Sequence, residues 1–170
     1  MMRSGWNELR RTGQLLDICF QVQGQEIQAH RGMLAAMVPH FKTAFEGSFR
    51  ESIVMTEDTE LPVYPLPEDE AASAFAVQCV VDYVYTGKLT RPTFSDNDEA
   101  TAALDDLLDL MELSNLWDMP ELTNQAVRAI IELGLIQFDN CDDVLARAEA
   151  SQIELLIEIC RKTKKQNQWI

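Results

Sequence analysis

Positive charge is what this sequence has least of. Its 170 residues hold 14 Lys+Arg against 28 Asp+Glu, a formal net charge of −14. No Lys or Arg occurs between Glu51 and Gly87, and none between Pro92 and Val127; those stretches carry eight and nine carboxylates. Nucleic-acid binding needs cations to displace phosphate counterions, and an anionic membrane repels carboxylates in the same way, so neither is an expected partner. Long apolar runs are missing too: none approaches the ~20 residues that span a bilayer. Met1 to Gln14 is mostly polar and does not read as a secretory signal. Cysteine is sparse and scattered, at positions 19, 79, 141 and 160. Without a C-x-x-C pair there is no basis for a zinc ribbon or a thioredoxin-type site. Each cysteine sits among apolar neighbours and reads as a small core residue in a reducing compartment, cytoplasmic or nuclear.

Catalytic patterns are absent as well. There are 2 histidines, His30 and His40. No G-x-S-x-G elbow, P-loop or G-x-G-x-x-G occurs. Asp105-Asp106 and Asp142-Asp143 are adjacent pairs, whose side chains diverge by about 100° on a helix and share no reacting atom. Asp96-Asn97-Asp98 lacks the ligand spacing and the central glycine of an EF-hand. The expectation is a chain without catalytic residues, metal or cofactor, and not an enzyme.

What is present is material for a core, with 46% hydrophobic residues. Leu16–Val22 and Gln25–Ala29 read as a short hairpin around Gly24. From Arg31 the apolar spacing becomes helical, and Pro39 divides the stretch into two helices, the second stopped by Gly47. Ile53–Thr56 reads as a third strand, and Thr56–Glu70 as an acidic, proline-containing loop in which Leu61, Val63 and Leu66 add strand-like contacts. Ala72 to Val84 gives a helix closed by Gly87. Arg91–Thr101 reads as a second loop, followed by helices from Leu104 to about Leu116 and from Pro120 to Gly134. Asn140 reads as an N-cap and Ser151 with Glu154 as a capping box for the last two helices. At the junction of hairpin and first helix, His30 reads as a capping residue, and an Asp17–Arg31 ion pair is expected to fix how the two elements meet.

Several segments resemble a known family. Leu16-Asp17-Ile18, Gly24 through Arg31, Leu34-Ala35-Ala36 and Pro39-His40-Phe41-Lys42 are similar to the opening of a BTB/POZ domain. Phe45 through Ser52 continues the likeness, and Val81-Asp82-Tyr83-Val84-Tyr85-Thr86-Gly87 matches the family's Y-T-G helix end. The likeness runs from Asp17 to about Leu133, and within the family it is most similar to the speckle-type POZ (MATH-BTB) group. It departs from the family at Val38-Pro39, which replaces the usual Ser-Pro, and in longer loops over 57–67 and 91–101.

The resemblance implies an α+β fold, a short sheet with a cluster of helices plus a C-terminal helical extension. Residues 1–15 would be an N-terminal dimerisation segment, 16–135 the BTB/POZ domain and 136–168 a 3-box or BACK-like helix pair. It further implies a protein-interaction function. Homodimerisation would run through Trp6, Leu9 and Met33; a tryptophan outside any core pattern is costly to expose unless a partner covers it. Binding of cullin-3, as a substrate adaptor for ubiquitination, would use the hydrophobic-x-Glu triplet Phe49-Arg50-Glu51, with Trp117 and Met119 as further contacts. The alternative is a dimeric scaffold that recruits a non-cullin partner such as a transcriptional co-regulator. No MATH, kelch or zinc-finger pattern is read in these residues, so substrates are expected through another module or through the domain's own surface.

Overall fold

The computed structural model describes residues 2–46, 60–66 and 73–167. Three short strands and eight helices are seen among them: α1 (Met2–Arg11), β1 (Ile18–Val22), β2 (Gln25–Ala29), α2 (Arg31–Met37), α3 (Pro39–Glu46), β3 (Val63–Tyr64), α4 (Ala74–Thr86), α5 (Asn97–Leu116), α6 (Pro120–Glu132), α7 (Cys141–Ala150) and α8 (Glu154–Asn167). The architecture is α+β, with a small sheet at the front and helices thereafter. The expected strand Ile53–Thr56 and the stop at Gly47 lie outside the described residues.

The sheet order is β2-β1-β3. The β1–β2 hairpin is antiparallel, with Phe20 opposite Ile27. Its two-residue turn has positive φ at both Gln23 (50°) and Gly24 (74°), the geometry whose twist matches the flanking strands. β3 runs parallel to β1, with Phe20 beside Tyr64, so the strand-like contact expected around Val63 is a real edge strand.

The helical boundaries follow from local chemistry. Ser73 caps α4 by accepting from the Ala76 N–H at 3.2 Å. Gly87 ends α4 in the left-handed region (φ 72°), a conformation that strains any residue with a Cβ, and the Arg3 guanidinium lies against it. The second loop is shorter than expected, because Asp96 and Glu99 start a helix within it. Asp96 accepts from the Glu99 N–H at 2.9 Å, and the Glu99 carboxylate reaches back to the Ser95 N–H (2.7 Å) and hydroxyl (2.8 Å). This is a near relative of the capping box, written with Asp in place of Ser or Thr, and it makes α5 20 residues long.

Two other caps differ from expectation. Asn140 stands at the N-cap of α7, but its amide is turned away from the helix. It donates to the Leu135 carbonyl and accepts from the Gln137 N–H, both at 2.9 Å, and so folds the α6–α7 turn instead. Ser151 closes α7 rather than opening α8.

One element was not expected at all. The polar N-terminus forms α1, which lies on α4. Few apolar residues mark it; what holds it is a set of specific contacts at one-turn spacing: Arg3, whose Nη2 donates to the Met37 sulfur at 3.8 Å, and Trp6 and Arg10, described below. One hydrophobic core runs from the sheet through α2–α6 into α7 and α8. All four cysteines are buried and unbonded. Burial, then the Asp82 and Asp106 charges, pushes the Cys79 thiol up to about 12; burial, then Cys141, pushes Cys160 up to about 11. Such thiols are core residues with little thiolate.

Candidate interaction surfaces and their supporting clusters

The N-terminal face is organised by His30 and Tyr85. His30 is buried at the N-cap of α2, and its side chain makes no cap bond. Its backbone N–H donates to the Tyr85 hydroxyl at 2.8 Å. Its Nε2 lies 2.9 Å from the Gln14 carbonyl, which only accepts, so Nε2 carries the proton. In the neutral ring Nδ1 is then an acceptor, and the Tyr85 hydroxyl donates to it at 2.6 Å. Every polar group of this buried pair is satisfied, and burial pushes the Tyr85 phenol up.

α1 docks on this hub. Trp6 meets the His30 ring edge-to-face at 4.9 Å. Arg10 Nη1 donates to Asp82 at 2.7 Å, its Nε donates to the Gln28 carbonyl at 3.3 Å, and its guanidinium lies 5.0 Å over the Tyr85 ring. Trp6 therefore covers its own domain as a partly buried residue. Leu9 is half-buried on the same helix. Met33 is 9% exposed and packs with the core of its own chain.

Asp17 does fix the hairpin to α2, by a different contact from the one expected. Its Oδ1 accepts from the Arg31 backbone N–H at 2.7 Å, a cap delivered from fourteen residues upstream. The Arg31 side chain is not the partner: its Nε has no hydrogen bond, and its guanidinium lies 6.0 Å over Phe45.

The second surface centres on the corner between α5 and α6. Trp117 is 0% exposed and Met119 is 6%. Trp117 stacks on His40 (5.5 Å, 20°) and meets Phe41 edge-on at 4.8 Å. Tyr64 joins through the His40 ring, its hydroxyl 2.9 Å from Nε2. The burial follows from the chain's own aromatics converging here, with Phe20, Phe41, Phe45 and Tyr64 all in ring contact. Trp117 and Met119, expected as cullin contacts, are both covered by their own chain. The indole N–H of Trp117 has no hydrogen-bond partner among the described residues. Burial holds the His40 ring below its ordinary proton affinity. Phe49 and Glu51 lie outside the described residues.

The third region is the helical extension. Arg147 of α7 reaches α5, its Nε donating to Glu112 at 2.6 Å and its Nη2 to Asp109 at 2.6 Å. Burial opposes this charge, but the hydrogen bonds and charges of Glu112 and Asp109 outweigh it and keep the guanidinium protonated. Lys164 with Asp142, and Arg161 with Glu149 (2.9 Å), tie α8 to α7. Arg10, Tyr85, His40 and Arg147 were not singled out as sites from the sequence. Tyr85 carried a signal as part of the Y-T-G motif and His40 as part of the Pro39–Lys42 segment; Arg10 and Arg147 are recognisable by partners distant in the chain.

Among the described residues, no three His, Cys, Asp or Glu side chains gather as a metal site. No helix among them is long and apolar enough to cross a membrane.

Comparison with known proteins was informative at the level of family. BTB/POZ domain-containing protein 9 of Bos taurus is 34% identical over 106 residues, covering 62% of this chain and 15% of that protein. Kelch-like protein 24 of Rattus norvegicus is 27% identical over 158 residues, covering 92% of this chain and 22% of its own length. The chain thus spans less than a quarter of either relative. Neither relative singles out the speckle-type group. The BTB domain of zebrafish PATZ1 superimposes with a TM-score of 0.55 at 17% identity, covering 77% of this chain and 89% of that one, a likeness of fold. A family model described as "BTB/POZ domain" matches residues 6–134. With three quarters of its length under that match and the fold to go with it, the chain belongs to the BTB/POZ domain family.

Proposed function

We propose that this chain is the interaction module of a homodimeric adaptor that binds cullin-3 and so brings substrates to ubiquitination, in the cytoplasm, the nucleus or both. No catalytic residue, metal or cofactor enters this reading. The observation that carries it is the order of parts in the chain. The Phe49-Arg50-Glu51 triplet follows α3 directly, where the family resemblance puts the cullin contact, and a helix pair, α7–α8, follows the BTB match and is anchored to α5 by Arg147. Phe49 would fill a partner pocket, and Glu51 would accept a charge-assisted hydrogen bond.

A second reading has a specific observation in its favour. Burial of Trp117 and Met119 leaves little of either side chain exposed at that corner, which suits a dimeric scaffold with a non-cullin partner such as a transcriptional co-regulator. Calorimetric titration with the N-terminal domain of cullin-3 separates the two. The adaptor reading expects saturable binding that the Phe49→Ala, Glu51→Arg double variant abolishes. Absence of binding by the native chain leaves the scaffold.

A further inference from the structure

We infer that the cleft between the start of α5 and the α6–α7 turn is a docking groove for a basic segment of a partner protein that carries one apolar anchor side chain. The cleft holds about 460 Å³, within the range of built binding pockets. Its apolar side is Phe94, Leu133 and Leu135; its polar side is Thr101, Gln137 and Asp139. The walls are set by the two local structures described above: the Asp96–Glu99 cap that starts α5, and Asn140, whose amide is fully used in folding the turn.

Charge selects the occupant. Asp139 is the one charged residue lining the cleft, and Asp96, Asp98 and Glu99 stand at the start of the flanking helix. Arg91, in the preceding loop, is engaged by Glu132 at 2.6 Å. A cation-bearing segment gains from this field, whereas a nucleic acid or an anionic headgroup is repelled. Beside the cleft, between Gln137 and Asp139, Phe138 leaves its ring 58% exposed. A large aromatic face in water, next in the chain to Asp139, suits a Lys or Arg side chain lying across it.

The groove lies at the start of α5, which has 20 residues, a length of about 30 Å, and the Trp117–Met119 corner is at the other end of that helix.

The test uses the full chain and fluorescent nonapeptides with three lysines, three serines or three glutamates around a central leucine. The lysine peptide should bind saturably, roughly tenfold more tightly than the serine peptide, a difference of about 1.4 kcal/mol. Thr101→Arg, which fills the cleft, and Asp139→Lys, an exposed loop change, should each weaken that binding, with circular dichroism and Tm unchanged. Glu121→Lys, an equal charge change near the far end of α5, should leave it intact. No saturable binding, equal affinity for the serine peptide, or equal loss in Glu121→Lys would each overturn the inference. The three results would mean no groove function, an uncharged apolar ligand, and non-specific charge attraction, respectively.

Discussion

Tyr85 shows how much one hydroxyl decides. It accepts the His30 backbone N–H and donates to the His30 ring, both out of water. Tyr85→Phe keeps the packing and strands two buried polar groups, which should cost about 1–3 kcal/mol. Denaturant unfolding should show a lower midpoint with an unchanged slope; an unmoved midpoint would mean that water replaces the hydroxyl. His40 makes a pH prediction. Its folded proton affinity lies below the ordinary value of 6.5 because it is buried. As pH falls past about 6.5 the unfolded chain takes up the proton first, so stability declines there and levels off once the folded ring is protonated too. His40→Gln should lose this part of the slope below about pH 6.5, and parallel profiles for the two chains would refute it. Both histidines were visible in the sequence. Their partners were not, because Tyr85 and Tyr64 are 55 and 24 residues away.

At the scale of elements, periodic spacing located most helices, and local chemistry set their ends. The hairpin, the break at Pro39 and the stop at Gly87 were readable because each depends on neighbouring residues. α1 was not, since its stability comes from Arg10 on Asp82 and Trp6 on His30 rather than from an apolar stripe of its own. The early start of α5 was readable in principle, through Asp96 and Glu99. The extension poses the sharpest test. Arg147 is the ionic tie from α7 to α5, with the three side chains 26%, 23% and 30% exposed. Its loss should fall between a surface pair and a buried one, about 1–3 kcal/mol. Hydrogen exchange of Arg147→Ala should speed up in α7 and α8 while β1 and α4 keep their protection. Uniform acceleration through the chain would mean that the extension is not a separable unit.

For the whole molecule, the proposed dimer predicts twice the chain mass by light scattering at tens of micromolar. Met33 is one of the residues through which the family resemblance implies that dimer. Its burial in the core changes the expected result: Met33→Glu should lower Tm in proportion to an unpaired charge forced into an apolar site, whatever the mass. A monomer with unchanged Tm would return Met33 to the interface. The candidate sites were legible as residue types in the right order, which family likeness supplies. Their exposure was not legible. Trp117 and Met119 looked like contacts because they are large and apolar beside a helix start, a description that fits an interface residue and a core residue equally well.

The sequence by itself determined the charge balance, the hairpin, most helices and the family, because each depends on residues close in the chain or on motif order. The tertiary structure alone decided which apolar residues are spent on the core, where α1 lies, and that Asp17 caps a backbone N–H instead of pairing with a guanidinium. Burial and long-range hydrogen bonds are properties of what the fold brings together, and pairs as distant as Arg10 with Asp82 or Arg147 with Asp109 leave no local pattern to read.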